Sequence, residues 1–155
     1  NGGKIGTRGF ELESNYIGEA WSVLSNVSYY QATDREALTY IAKHDEGLLM
    51  GAPQWSIYSN VSYDIDHQWS VQAAASWFSE KSANGPAFGE TRMISAQAII
   101  DLGCHYRFSP DLEALLSIHD LFNERLSLPV GWNDTTYGPT EYKGREISVS
   151  ATLRF

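Results

Sequence analysis

Residue types that could form a nucleophilic hydrolase site occur together late in the chain, as Asp101, Ser117 and His119. If residues 109–111 form a three-residue turn, the flanking segments pair so that opposing residue numbers sum to 220. Asp101 then faces His119, and Ser117 lies within the same neighbourhood, because opposed Cβ atoms are about 5 Å apart. A Ser/His/Asp triad is one interpretation. The other interpretation is a network of polar side chains that hydrogen-bond one another. We favour this network because the sequence has no nucleophile elbow and no apparent oxyanion donor.

Other chemistry-bearing residues give weaker indications. His44, Asp45 and Glu46 could contact a metal ion, but neighbours on one loop rarely give a defined ligand geometry, so we predict no metal site. The single cysteine, Cys104, excludes a disulfide within the chain and is predicted to act as a small apolar side chain. No glycine-rich phosphate loop occurs, and we predict no cofactor. A net charge of −8 argues against nucleic acid as a partner.

The elements that must position these residues are predicted to be β-strands. Apolar and polar residues alternate over most of the 155 residues, and the longest run, residues 92–108, far exceeds a strand of about five or six. Seven segments show this period of two: residues 7–17, 20–31, 54–65, 68–79, 91–108, 112–122 and 142–155. Short turns and long polar loops alternate between them, which is typical of a transmembrane β-barrel.

Aromatic residues recur at a spacing that also favours a membrane. Three pairs lie eight residues apart on one face of a strand: Trp21 and Tyr29, Trp55 and Tyr63, Trp69 and Trp77. Eight residues span roughly 26 Å along a strand, and a tilt of about 40° shortens the distance that they cover across the membrane. The shortened distance suits an apolar band that has an aromatic girdle at each edge. We therefore predict that these six residues form the girdles. A soluble β-sandwich, with its tryptophans scattered through a core, is the alternative.

Barrels of this class usually have an even number of strands, so seven antiparallel strands cannot close one. The first and last strands would run in the same direction, and an open edge in lipid would leave backbone groups unpaired. We therefore expect the C-terminal part of a larger barrel domain that spans residues 1–155 of this chain and continues outside it. A miscounted eight-stranded barrel, with a strand hidden in residues 32–53, is the alternative.

Three motifs resemble those of the C-terminal end of TonB-dependent outer-membrane receptors. Residues 7–13 (TRGFELE) resemble the strand start RGxExE, and residues 120–125 (DLFNER) resemble NLFDxxY after the penultimate strand. Residues 144–155, from Gly144 and Arg145 to the terminal Phe155, resemble the closing strand GR…F. Asp120 stands where asparagine is usual, and Leu126 lies near the usual tyrosine position.

This resemblance implies an all-β antiparallel transmembrane sheet that forms the last seven strands of a 22-stranded barrel. It implies a plug domain outside this chain and contact with TonB through an absent N-terminal region. The other implied partners are the lipid and lipopolysaccharide of a Gram-negative outer membrane and the barrel-assembly machinery, whose signal would be Phe155 supported by Gly144 and Leu153. The implied function is import of an iron chelate, haem, cobalamin or glycan, without enzymatic activity.

The long loops hold the residues expected to face a ligand. Aromatic and polar side chains on loops above a rigid scaffold suit ligand capture. These residues are Tyr40, His44, Trp132, Asp134 and Tyr137. Two other functions stay open on the sequence: a small stand-alone barrel hydrolase that uses Ser117, His119 and Asp101, and a passive porin-like or scaffold barrel.

Overall fold

A computed structural model describes residues 4–35, 47–84, 91–128 and 140–155. The strands in these ranges are β1 Ile5–Ile17, β2 Trp21–Arg35, β3 Trp55–Asp64, β4 Trp69–Phe78, β5 Lys81–Asn84, β6 Thr91–Ile94, β7 Gln97–Arg107, β8 Leu112–His119, β9 Ser127–Leu128, β10 Thr140–Glu141 and β11 Glu146–Leu153. No helix in these ranges is long and apolar enough to cross a membrane.

Seven of the strands form one antiparallel sheet in the order β1-β2-β3-β4-β7-β8-β11. Each strand pairs with the next sheet strand along the chain, so the sheet is a meander with β1 and β11 at its edges. These seven strands correspond to the seven alternating segments, and the predicted all-β antiparallel sheet is confirmed. Two short ribbons, β5 with β6 and β9 with β10, extend from one end of the sheet.

The strand register separates apolar and polar side chains onto opposite faces of the sheet. Leu12 pairs with Val27, Val27 with Ile57, and Ile57 with Trp77, so apolar residues form rows across neighbouring strands. This face is uncovered: Leu12 is 64% exposed. We call it the apolar face and the opposite one the polar face. A second sheet that would cover the apolar face, as in a soluble sandwich, is absent from the described ranges.

The few buried apolar side chains lie mostly at the end of the sheet that carries the ribbons. They are Ala32, Leu48, Ala83, Ile94 and Ile99. The loop after β2 reaches the β5 ribbon there, because Gly51 donates its backbone N–H to the Ser82 carbonyl at 2.7 Å. This small cluster packs at the long-loop end, whereas the short turns lie at the opposite end.

One predicted strand is interrupted. Residues 91–108 form β6 and β7 with a break at residues 95–96, so the expectation of a single strand is wrong. Phe78 pairs with Gln97 and Lys81 with Ile94, so the hairpin keeps one register across the break. Opposite the break, the Ser79 backbone N–H donates to the Trp55 carbonyl of β3 at 3.0 Å, so the pairing of this segment with β3 continues past Phe78.

Candidate functional site

The predicted neighbourhood of Asp101 and His119 forms at the long-loop end of the polar face. Gly103 pairs with Ser117 and Leu102 with Ile118, which confirms the predicted register across the 109–111 turn. His119 Nδ1 lies 2.8 Å from Asp101 Oδ1, and both side chains remain about two-fifths exposed, at 43% and 41%. Alternation along β7 and β8 is sufficient to bring this pair together.

Ser117 is not part of a catalytic triad. Its Oγ lies 2.7 Å from the Oγ of Ser148, the residue opposite it on β11. His119 is two residues further along β8 and its Nδ1 is bound to Asp101. In the described part of the chain no hydrogen bond joins Ser117 to His119. The serine therefore belongs to a polar cross-strand pair, as the second interpretation of this cluster predicts.

Asp101 also holds the turn that follows β8. The backbone N–H of Asp120 donates to Asp101 Oδ1 at 2.9 Å. Asp120 itself is 1% exposed and has a φ of 50°, the left-handed region that ends the strand. Its carboxylate accepts the backbone N–H groups of Glu124 at 2.8 Å and Arg125 at 3.0 Å. Burial raises the pKa of Asp120, but these hydrogen bonds and the nearby His119 outweigh it and lower the pKa below the usual range.

The same turn is tied to the last strand. Asn123 Oδ1 accepts the backbone N–H of Arg145 at 3.0 Å. Gly144 passes so close that an added Cβ would collide with Asn123 Oδ1. Residues 120–125 and 144–145, two of the motifs that carry the resemblance, are therefore one interlocked unit at the start of β11. The Asn123 side chain occupies the space that a Cβ at position 144 would take.

A cavity of about 260 Å³ opens beside this unit. Strands β4, β7 and β8 supply one part of its lining, and the segments that flank the β9–β10 ribbon supply the rest. The residues are Ser76, Phe78, Ile99, Asp101, His119, Leu126, Tyr142 and Lys143. Tyr142 is 54% exposed, and Lys143 forms a long ion pair with Glu146, at 3.9 Å.

Lys81 joins the two ribbons beside the cavity. Its Nζ donates to the Ser127 carbonyl at 3.1 Å and lies 5.6 Å from the centre of the Phe78 ring. The side chain is 5% exposed, and this burial lowers the pKa of Lys81. The ammonium group therefore links the β5 ribbon to the β9 ribbon and lies over the Phe78 ring.

A separate ionic cluster lies toward the short-turn end of the polar face. Glu113 accepts from Arg154 at 2.8 Å and lies 3.2 Å from His105 Nε2. The Glu113 carboxylate of β8 thereby contacts one residue of β7 and the residue that directly follows β11. The arrangement couples the final strand to the sheet and offers no nucleophile.

The predicted girdle residues cluster at both ends of the apolar face. At the short-turn end Trp21 lies 4.2 Å from Tyr63, and Trp69 lies 4.3 Å from Tyr106, between ring centroids. At the long-loop end Tyr29 lies 4.6 Å from Trp55. Trp77 pairs with Ala98 and Ile57 near the same end. The two clusters have the placement that membrane girdles require, and the girdle role itself stays a prediction.

The predicted ligand-facing residues Tyr40, His44, Trp132, Asp134 and Tyr137 lie outside the described residues, as do Asp45 and Glu46. Gly144 precedes β11 at its long-loop end, whereas Leu153 and Phe155 lie at the opposite end and are exposed. Within the described ranges no group of three or more His, Cys, Asp or Glu residues could hold a metal ion.

No family model matches this sequence, and no curated protein matches it. Solved structures do match. The ferric-catecholate import receptor Fiu of E. coli K12 is 21% identical, with a TM-score of 0.81 over 99% of this chain and 21% of that one. The ferripyoverdine receptor of the outer membrane of Pseudomonas aeruginosa is 16% identical, with a TM-score of 0.76 over 96% of this chain and 19% of that one.

The siderophore receptor PirA of Acinetobacter baumannii is 18% identical, with a TM-score of 0.68 over 96% of this chain and 22% of that one. This chain has the fold of an outer-membrane receptor barrel. It spans about a fifth of the length of these receptors. The resemblance to the C-terminal barrel portion of TonB-dependent receptors is confirmed at the level of the fold, and the matched structures are receptors rather than enzymes.

Sequence reasoning found one part of this site and missed another. It placed Asp101 beside His119 because both lie in regular strands. It missed Phe78, Leu126 and Tyr142, which reach the cavity from three separate segments. Phe78 is a large aromatic residue on the polar face of β4, where the other residues are small or polar. Its position was the one sequence signal that the cavity would have an apolar wall.

Proposed function

We propose that this chain is the C-terminal wall of a TonB-dependent outer-membrane receptor that imports a ferric siderophore. The observation that carries the proposal is the match of 99% of the chain to a ferric-catecholate import receptor, with comparable matches to other siderophore receptors. In this proposal the whole chain belongs to one barrel domain, and the plug and the remaining strands lie outside it.

The open sheet supports a place in a larger barrel. Strands β1 and β11 leave their outer edges unpaired within this sheet, at a cost of several kcal/mol for each backbone group in lipid. They are the first and seventh strands of an antiparallel meander and so run in the same direction. An odd number of further strands is needed to close such a barrel, and the 22-stranded transporters, with a plugged lumen, meet this condition.

The two faces support a position in a membrane. The rows around Leu12, Val27 and Ile57 would contact lipid, and the aromatic clusters would lie at its two surfaces. The polar face would line the lumen against the plug. Lipopolysaccharide would surround the outer half of the wall, TonB would act through a region outside this chain, and Phe155 with Leu153 and Gly144 would serve the barrel-assembly machinery.

Uptake of labelled iron by cells that carry the complete polypeptide tests the proposal. Under iron limitation, deletion of the polypeptide should abolish uptake of one ferric siderophore from a panel of catecholate, hydroxamate and pyoverdine types, and re-expression should restore it. Uptake should stop in a TonB-deficient strain and on dissipation of the proton gradient. Uptake that survives both treatments would identify a passive channel and contradict the proposal.

A further inference from the structure

We propose that the bases of the three long loops open to solvent as one cooperative unit, which is joined through β5 and in which Lys81 links the two halves. We call it the loop-base unit, and it consists of residues 47–52, the β5–β6 ribbon and the β9–β10 ribbon. Displacement of one loop base, for example by a ligand, would then be transmitted to the other two. The inference concerns the coupling of these segments and does not depend on which ligand is imported.

Strand β5 contacts the other two segments through adjacent residues. The Ser82 carbonyl accepts the backbone N–H of Gly51 at 2.7 Å, and the Ser82 hydroxyl donates to Met50 Sδ at 3.3 Å. The Lys81 ammonium group donates to the Ser127 carbonyl at 3.1 Å. Because successive side chains of a strand point to opposite faces, one side chain of β5 can reach each neighbour. Strand β5 is therefore the element through which a movement can pass between the two other segments.

The contacts of β5 lie in the small core at the long-loop end. Lys81 is 5% exposed, Ser82 0% and Ala83 2%, and Leu48 and Ile94 are also buried. Local opening of a protein occurs in contiguous cooperative units that often coincide with supersecondary motifs. Exposure of any part of this core to water removes contacts from each segment that contributes to it. We therefore expect the segments to open together rather than one by one.

Lys81 makes the link specific and breakable. Its contacts in the described part of the chain are the neutral Ser127 carbonyl and the Phe78 ring, whose centre lies 5.6 Å from Nζ. Burial of an ammonium group with neutral contacts is costly, and the lowered pKa of Lys81 reflects this cost. While the unit is closed, the ammonium group selects one carbonyl of β9, which an apolar side chain would not do. Opening returns it to water and recovers part of the cost.

Ser127 extends the connection into the β9–β10 ribbon and the sheet. Its carbonyl accepts from Lys81, and its backbone N–H donates to Gln97 Oε1 at 3.0 Å. The neighbouring Leu126 carbonyl accepts the backbone N–H of Tyr142 at 2.8 Å. The backbone of Ser127 thus joins β5, β7 and the β9–β10 ribbon.

Hydrogen exchange of the purified complete polypeptide, measured by mass spectrometry on its peptides, tests the inference. Gln97→Leu removes the acceptor of the Ser127 N–H and should speed exchange about three- to tenfold in the peptide that contains Ser127. A similar increase should appear in the peptide that contains Gly51, which is bonded to the other neighbour of the link. In a Lys81→Ala background, Gln97→Leu should act on the Ser127 peptide alone because the link is absent.

Lys81→Ala by itself should speed exchange about tenfold in both peptides. The control is Lys143→Ala, which removes a lysine at the same end of the sheet whose side chain is 81% exposed, and it should leave both peptides unchanged. A peptide from β3 should exchange as in the parent in every variant, which shows that the barrel is intact.

Two results would overturn the inference. One is an effect of Gln97→Leu that stays confined to the Ser127 peptide when Lys81 is present. The other is a further increase in the Gly51 peptide when Gln97→Leu is added to Lys81→Ala. Siderophore import is decided separately by the uptake experiment.

Discussion

Asn123 and Arg145 join the turn after β8 to the start of β11 through one hydrogen bond, 3.0 Å long, from the Arg145 backbone N–H to Asn123 Oδ1. The two residues are far apart in sequence, and the residues between them include the β9–β10 ribbon. Gly144 lies directly against the accepting oxygen. The bond therefore determines where the final strand begins and where Tyr142 and Lys143 meet the cavity.

Gly144→Ala should destabilise the complete barrel by about 1–3 kcal/mol, because the new Cβ would displace Asn123 and break its bond to Arg145. The denaturant midpoint of the refolded protein in phospholipid vesicles measures this loss. Gly103→Ala is the matched control, since a Cβ there meets its nearest neighbours at 3.7 Å and 3.9 Å, which are ordinary contact distances. Equal destabilisation by the two substitutions would contradict this account of Gly144.

The turn at Asp120 should loosen in acid. The pKa of Asp120 is lowered in the folded protein from its ordinary value of 3.8, so its carboxylate stabilises the turn above that pH. The stabilisation is lost as the pH falls through the lowered pKa. Hydrogen exchange at the Glu124 and Arg125 amides, corrected for intrinsic rates between pH 7 and pH 2, should show protection that falls only at the acidic end.

Asp120→Asn separates this effect from general acid unfolding. An amide supplies one acceptor oxygen, so one of the two N–H groups should lose protection at every pH, by about 1–3 kcal/mol. The remaining protection should no longer depend on this titration. Glu124→Gln, which removes an exposed carboxylate from the same turn, should behave as the parent. An unchanged acid profile in Asp120→Asn would show that another group controls the turn.

Two adjacent alanines distinguish the faces of the sheet. Ala73 lies on the apolar face opposite Val61 and Leu102, and Ala74 lies on the polar face opposite Asn60 and Asp101. Ala73→Arg should cost about 2–4 kcal/mol in a bilayer, as charges do on the lipid side of barrels near the midplane. Ala74→Arg should cost far less because its charge meets the hydrated lumen. Unfolding midpoints in vesicles measure both losses of stability. A larger loss for Ala74→Arg than for Ala73→Arg would show that lipid contacts the polar face, which contradicts this account.

Ser117→Ala should leave the complete protein without any change in ester hydrolysis. Ser117 bonds Ser148, and His119 bonds Asp101, so the serine has no general base. Turnover of short-chain nitrophenyl esters, with His119→Phe as a second variant, measures this. A serine-dependent activity lost in both variants would revive the hydrolase interpretation.

The sequence by itself determined the seven sheet strands, their two faces and the pairing of β7 with β8. The physical reason is that a strand alternates its side chains with a period of two, and a short turn fixes the register between neighbours. Asp101 and His119 meet as a direct result, because each lies in a regular strand beside that turn.

The tertiary structure alone decided the features that depend on contacts between distant segments. The long alternating run is interrupted at residues 95–96, and no local pattern marks the break. Asp101 acquires its second role from the Asp120 backbone, and Ser117 turns to Ser148 rather than to His119. These hydrogen bonds join groups that come together only when the sheet is assembled, so periodicity alone does not predict their partners.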